Sequence, residues 1–486
     1  MSNSSTTTRA ESSRTWHCNR TSRSLFEVSC GRREMMTGMI QAMAGHRTLG
    51  RNRLLWIASL IASVSLSVPA CAQQAQTLES RFLLGIGTHQ GLGGPVSSRG
   101  YVPSVNVSQI KQLGFNAFRD DFPWSDFELP GRRMGFTPRL GRLDAQVQSG
   151  IARPLLILAF GHHLVPNSSP PTTDEARQRF ADYAAAAARS VAPQRPIFEL
   201  WNEWNLAAKK DPSFSADNYL ALAKVARPAV KQAVPNAPFV VGAIGDDPGW
   251  TWTEKMLQTG ILQYADGASI HLYNFCMAPA KRNSAEIIDR LTAFHRLVGQ
   301  ASGNPDFPIY VTETGWTTAA NKCGVSEQAQ ADNTAQLILW ASTAARWLKG
   351  MWIYELKNSG QNPAELEDNF GLYGFDNSPK PVACAARGAW AFVRSTLTAE
   401  RRSLANGVMS IGASSTTGGK IAVWSEDPDR RYEVRIRGDL PGATFAAPCD
   451  ATARPASGIW LPVSSTPVLI AANNDAIPAL DIRPAR

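Results

Sequence analysis

The chain has 486 residues, 44% of them hydrophobic and 18% charged, with a formal charge of +9. That length exceeds one ordinary domain and fits a barrel with a smaller partner, while the composition excludes a disordered chain. The charge does not mark a nucleic-acid binder: residues 1–72 hold nine Arg, no Lys and three Glu, so +6 lies there and only +3 in residues 73–486, with no Lys/Arg stripe.

Residues 1–72 read as an N-terminal extension ending in an export signal. Arg51 and Arg53 precede the apolar run Leu54–Val64, and Ala70-Cys71-Ala72 offers a small-residue cleavage site before Gln73. The run is too short to span a bilayer comfortably, so no membrane span is expected. The residues ahead of it are rich in Ser, Thr and Arg and long for a signal, which points to translation starting at Met39 or Met43. Cys71 leaves lipid attachment as an alternative, although Pro69 makes a poor site for it. Export leaves Cys276, Cys323, Cys384 and Cys449 in the mature chain, enough for two bridges in any of three pairings.

From residue 82 to about 357, short apolar runs alternate with amphipathic stretches. The runs are 82–87, 117–122, 154–160, 196–201, 239–244, 267–272, 309–312 and 351–356. Several are continuously apolar, as parallel strands covered on both faces are. Between them the spacing predicts helices, for example over 173–190, where Ala184–Ala188 favours helix strongly, and over 326–348. Eight such alternations predict an α/β fold, a (β/α)8 TIM barrel over residues 73–397. A doubly wound sheet competes, but Gly85-x-Gly87 is not continued into a phosphate-binding turn. A last helix is expected over 382–397. Short strands then follow at 408–411, 420–424, 431–437, 458–462 and 466–471, which predicts a small antiparallel β-sandwich over residues 398–486, packed directly on the barrel.

Function in such a barrel collects at the C-terminal ends of its strands. Strand four ends in Glu199-Leu200-Trp201-Asn202-Glu203-Trp204-Asn205 and strand seven in Thr312-Glu313-Thr314-Gly315-Trp316. Two carboxylates therefore leave the same barrel face. Such a pair is what glycosidic bond cleavage needs, one group to protonate the leaving oxygen and one to attack or stabilise the sugar carbon. Trp124, Trp204 and Trp316 follow strands and are candidate sugar platforms, with Trp204 and Trp316 preferred. Trp352 and Tyr354 lie in strand eight, where core packing and ligand contact are both open. His162 or His163 after strand three is a candidate cleft residue. A metal site has no third ligand at suitable spacing, and no cofactor is expected. The loop Gly91–Ser108 and the segment Glu128–Arg142 are candidates for shaping the cleft.

The run Trp201–Asn205 and the Glu313 run resemble the superfamily of retaining (β/α)8 glycosidases. They look most like glycoside hydrolase family 39, which includes β-xylosidases and bacterial exopolysaccharide-cleaving endoglycosidases. The resemblance covers residues 80–395, and the stretch Asn369–Leu372 with Ser378–Pro381 is similar to the close of family 39 barrels. It implies Glu203 as acid/base and Glu313 as nucleophile, with Asn202 on the sugar 2-hydroxyl. It also matches Arg119 to the Arg that keeps the nucleophile ionised, against the reading that Arg119 pairs only with Asp120 or Asp121. His271 and Tyr273 resemble the His-x-Tyr pair that orients the two carboxylates. The implied protein is an exported, monomeric β-glycosidase acting on a polysaccharide or oligosaccharide; a non-hydrolytic sugar-binding barrel and a glucan transglycosylase are the alternatives. Cys276 and Cys323 follow neighbouring strands, so their pairing is preferred, leaving Cys384 for Cys449.

Overall fold

The computed structural model describes residues 76–92, 99–163, 165, 169–405, 407–427 and 430–485. The export signal, the start site and Cys71 lie outside them. Eight parallel strands close into a barrel: β1 (Leu83–Gly87), β2 (Ala117–Pro123), β3 (Arg153–Ala159), β4 (Ile197–Leu200), β5 (Phe239–Ile244), β6 (Gly267–Leu272), β7 (Ile309–Thr314) and β8 (Leu348–Ile353). Each pairs with its sequence neighbours and β8 closes on β1. A helix follows every strand: α1 (Pro103–Leu113), α2 (Gly141–Gln148), α3 (Asp174–Val191), α4 (Ala216–Ala233), α5 (Thr251–Gln258), α6 (Ser284–Ser302), α7 (Glu327–Ala344) and α8 (Pro381–Val393). Among the described residues, no helix is long and apolar enough to cross a membrane.

Local chemistry sets the helix starts. Thr173 Oγ1 accepts the Ala176 amide at 3.2 Å and Ser326 Oγ accepts that of Ala329 at 3.1 Å, so α3 and α7 each begin one residue later than their predicted runs. Pro381 opens α8, where its missing N–H costs nothing. This last helix stops at Val393, short of the expected 397, because Thr396–Ala405 pairs with Val408–Ser415 as a hairpin.

That hairpin starts the second layer system. Strands β9 (Thr396–Ala405), β10 (Val408–Ser415), β11 (Gly418–Ser425), β12 (Tyr432–Ile436), β13 (Thr444–Ala446), β14 (Arg454–Pro455), β15 (Leu461–Val463), β16 (Val468–Ala471) and β17 (Leu480–Pro484) form two antiparallel sheets. One has the order β9-β10-β11-β16-β13-β14 and the other β15-β12-β17. β11 is buried along its whole length. Ile421 and Val423 face the core between the sheets, with Val434, Leu461 and Ile470, whereas Ala422 and Trp424 join the barrel's own hydrophobic cluster. Alternation on one strand thus stitches sandwich to barrel.

Helix α7 lies at that seam, and its polar residues are buried with partners. Asp332 accepts Ser465 Oγ at 2.9 Å and Thr466 Oγ1 at 2.8 Å, and Gln336 Nε2 donates to Ser465 O at 2.6 Å. Cys384–Cys449 ties α8 to the sandwich, and Cys276–Cys323 joins the loops after β6 and β7, the pairings preferred from the sequence.

Candidate active site

The two glutamates meet at the barrel mouth. β4 ends at Leu200, whose carbonyl is held by the Tyr219 hydroxyl at 2.7 Å. The chain then turns through left-handed conformations at Trp201 (φ 64°) and Glu203 (φ 47°), and the Glu203 amide donates to Ala243 O at 3.0 Å. Such angles are uncommon for side chains of this size and persist only where the surroundings fix them. Gly245 packs beside the side chains of this turn: a Cβ there would lie 2.9 Å from Glu203 Oε1 and 2.8 Å from Leu206 Cδ1. A β-carbon there would push on the tips of both side chains.

Glu313, near the end of β7, accepts Arg119 Nη1 at 2.5 Å on one oxygen and the Tyr273 hydroxyl at 2.6 Å on the other. Burial alone would raise its pKa, but His271, the Arg119 guanidinium and the Tyr273 hydroxyl outweigh that and hold it at about 2. His271 Nδ1 lies 3.0 Å from Glu203 Oε1. Its Nε2 lies 3.2 Å from Arg119 Nη2, so Nδ1 is the ring nitrogen that faces Glu203. One oxygen each of Glu203 and Glu313 and a His271 ring nitrogen all fall within 4.8 Å of one another.

Arg119 organises the group. Besides Glu313 it donates from Nε to Glu199 Oε2 at 2.7 Å and from Nη2 to Asn202 Oδ1 at 2.9 Å. Its planar fork thus orients Glu313, Glu199 and Asn202 at once, and Nη2 also meets His271 Nε2. It does not pair with Asp120, whose carboxylate instead receives Thr88 Oγ1 and the amides of Gln90 and Gly91. Because Asn202 Oδ1 is engaged, its amide –NH2 is the half left for a ligand. Among the described residues, the grouping able to hold a metal is Glu203, His271 and Glu313 themselves. The Arg119 guanidinium already fills the cationic role there.

A cavity of about 740 Å³ opens over these residues, lined among others by His89, Asp121, Phe160, Tyr273, Phe275, Tyr354, Glu367 and Phe370. The sequence pointed to tryptophans instead, and none of the three preferred or open candidates reaches it. Trp204 is fully buried behind the Glu203 turn, against Trp201, Phe214 and Tyr219, with Nε1 on Ser215 O at 3.1 Å. Trp316 is buried under its own loop, its carbonyl held by Gln330 Nε2 at 2.7 Å. Trp352 fills the barrel floor beside Tyr310 and Gly85. Its neighbour but one, Tyr354, is the strand-eight residue that lines the cavity.

His162 is also turned away. It stacks on Trp124 with ring centres 4.4 Å apart and lies 3.3 Å from Glu128 Oε2. The cause is Phe160, whose left-handed φ of 72° puts its own ring in the cavity and directs the following residues behind it. The segment Glu128–Arg142 packs on the outer barrel and lines no part of the cavity, whereas Leu92 of the Gly91–Ser108 loop does. Glu199, four residues before Glu203, carries no strand-end signal because it lies inside β4. His89, two residues beyond β1, gave no signal beyond that position.

Comparisons with known proteins agree with the fold. The family model "Cellulase (glycosyl hydrolase family 5)" matches residues 101–348. A family 39 glycoside hydrolase from Bacteroides cellulosilyticus WH2 has a similar structure, with 23% identity, a TM-score of 0.66 and coverage of 81% of this chain and 82% of that one. A family 39 β-xylosidase from Caulobacter crescentus matches at 15% identity and TM-score 0.56, covering 82% and 98% of the two chains. GH5_18 from Streptomyces cattleya matches at 16% identity and TM-score 0.51, covering 65% and 81%. No curated protein matches the sequence. The family 39 resemblance thus returns at the level of fold. With just over half of the chain, including β2 to β7, matched by the family model, the chain is a (β/α)8 glycoside hydrolase and belongs to the cellulase (glycosyl hydrolase family 5) family.

Proposed function

We propose that the protein is an exported, retaining β-glycosidase that cleaves a polysaccharide or oligosaccharide by double displacement, as a monomer. The observation that carries this reading is the approach of the Glu203 and Glu313 oxygens to within 4.8 Å. Retaining enzymes place their carboxyl groups about 5–5.5 Å apart, and inverting ones leave room for a water at about 6.5–9.5 Å. Export draws support from the leader and from two disulfides, which persist in oxidising compartments.

The roles divide by environment. Glu313, kept ionised, attacks the anomeric carbon while Glu203 gives its proton to the departing oxygen, so the glycosidic bond breaks as an ester to Glu313 forms. With His271 on Glu203 Oε1, the other oxygen is free to carry that proton. Glu203 then takes a proton from water, which attacks the ester and releases Glu313. The Asn202 amide faces the 2-hydroxyl, a contact that strengthens in the transition state.

Wild type, Glu203→Gln and Glu313→Gln assayed on a panel of β-glycans test the assignment: both variants lose turnover, and unchanged turnover in Glu313→Gln overturns it. Azide restores a Glu313→Gly enzyme and yields the glycosyl azide of inverted configuration.

A further inference from the structure

The end of the barrel opposite the active-site mouth is formed by the connections that lead into the strands. Their three carboxylates are already paired: Glu79 with Arg394, Asp266 with Arg227 and Lys231, and Asp306 with Arg346. Arg81, Arg153, Arg195 and Lys349 lie in these connections or within the first two residues of a strand. Lys111 and Arg189 stand beside them in the last turns of α1 and α3. Among the described residues, none of these six cations has an ion pair. They outnumber the net +3 of residues 73–486, so the basic excess of that stretch is concentrated at this end and its remainder is net acidic. The six are scattered through the sequence, and only barrel closure gathers them.

Cations are favoured near helix C-termini because they suit the helix dipole, which accounts for Lys111 and Arg189. It does not account for the other four. Three of those are held by backbone carbonyls: Arg81 Nη2 donates to Leu397 O at 3.1 Å, Arg153 Nε to Arg195 O at 2.6 Å and Lys349 Nζ to Arg346 O at 2.6 Å. A carbonyl fixes the direction of a cation without cancelling its charge. Arg153 and Arg195 also line a hollow of about 900 Å³ with Asn116, Gln194 and Asn236; the acid on its wall, Glu79, is the one paired with Arg394. The chain enters the barrel at this same end through Leu78–Arg81, a few residues after the small-residue site Ala70-Cys71-Ala72. The large apolar side chains exposed among the described residues, Val102, Val105 and Ile459, lie elsewhere, at the start of α1 and in the sandwich.

We propose that this end of the barrel is a peripheral docking surface for a bilayer rich in anionic phospholipid, which holds the exported enzyme with its active-site mouth turned outward. The reading rests on export and is independent of the catalytic assignment. Phosphate oxygens of the headgroups supply the counter-charges that these cations lack, and the hollow between Arg153 and Arg195 gives one headgroup a seat. With no large apolar side chain exposed there, attachment is electrostatic, reversible and weakened by salt.

The test is co-sedimentation of the exported protein with vesicles of phosphatidylcholine alone or of phosphatidylcholine mixed with phosphatidylglycerol, at low and at high sodium chloride. Wild type is expected to sediment with the mixed vesicles at low salt, to stay in solution with the neutral ones, and to be released by high salt. Each Lys or Arg near an anionic surface is worth about fivefold in partition. Arg153→Gln/Arg195→Gln is therefore expected to lose about 25-fold, and the same chain with Arg81→Gln and Lys349→Gln about 500-fold. Lys209→Gln/Lys210→Gln removes two exposed charges from the loop after β4, at the mouth end, and is expected to bind as wild type does. Circular dichroism and unchanged turnover of a soluble 4-nitrophenyl glycoside report that the variants are folded. Equal binding to neutral vesicles, or equal loss from the Lys209/Lys210 variant, overturns the proposal. So does retention on soluble polygalacturonate with no binding to the mixed vesicles, which would make the partner an acidic glycan. Each of these outcomes leaves the Glu313 assignment standing, which fails instead if Glu313→Gln retains turnover.

Discussion

The floor and the mouth of the barrel are built on the same strands and differ in everything else. Ala117, Leu155, Ile197, Val240, Tyr310 and Trp352 make a dry apolar layer. Two residues further along three of those strands stand Arg119, Glu199 and Tyr354. The register that carries one layer carries the next, so a rigid apolar floor sets the positions of charged groups above it. Below, stability comes from area removed from water. Above, buried charges cost desolvation and persist because each is partnered. Floor substitutions should therefore be read in stability and mouth substitutions in rate.

The largest break of this division is at Glu313. Glu313→Gln is expected to lower kcat/KM by about 10⁴-fold or more, with a melting temperature within a few degrees of wild type; removal of a triad-type nucleophile has effects of this size. Trp352→Ala should do the reverse. It empties a large buried site and costs about 3–5 kcal/mol by denaturant unfolding, while kcat per folded molecule stays within about twofold. A large fall in kcat with unchanged stability would dissolve the distinction between the layers.

Glu199 sharpens it, since it belongs to the mouth by charge and to the core by burial. Glu199→Gln keeps an acceptor for Arg119 but removes the negative charge beneath it. The expected result is about a 10- to 100-fold loss of kcat with little change in KM, and a pH–rate profile displaced to lower pH, because Arg119 is then less neutralised. A purely structural role would leave the profile in place.

The smallest effect is in acid. The folded-state pKa of Glu313 is held near 2, below the ordinary value of about 4.3. Its ion pairs therefore stabilise the fold fully above about pH 4.3, and that contribution is lost as pH falls toward 2. Melting curves from pH 6 to pH 2.5 should show wild type losing more stability than Glu313→Gln. Parallel curves would contradict the pairing with Arg119.

The same division explains what could be read in advance. Strands show themselves as apolar runs because both faces of the barrel wall are covered, and Glu203 and Glu313 stand out because strand ends are few. Tryptophans carry no mark of which layer they occupy: Trp352 and Tyr354 are two residues apart, yet one is floor and the other cleft. Trp204 and His162 follow residues with left-handed backbone, Glu203 and two positions earlier Phe160, so counting from the strand misplaces them. The strand Thr396–Ala405 was hidden because its charged outer residues interrupt the apolar alternation. Asp121 and His89 were invisible as a pair, since only barrel closure brings the ends of β1, β2 and β8 together.

Covalent trapping tests the central claim most directly. Incubation with a 2,4-dinitrophenyl 2-deoxy-2-fluoro-β-glycoside of a cleaved sugar, followed by proteolysis and mass spectrometry, should place one fluoroglycosyl ester on the peptide that contains Glu313. A label on any other residue, or no label with a product of inverted configuration, would contradict the account.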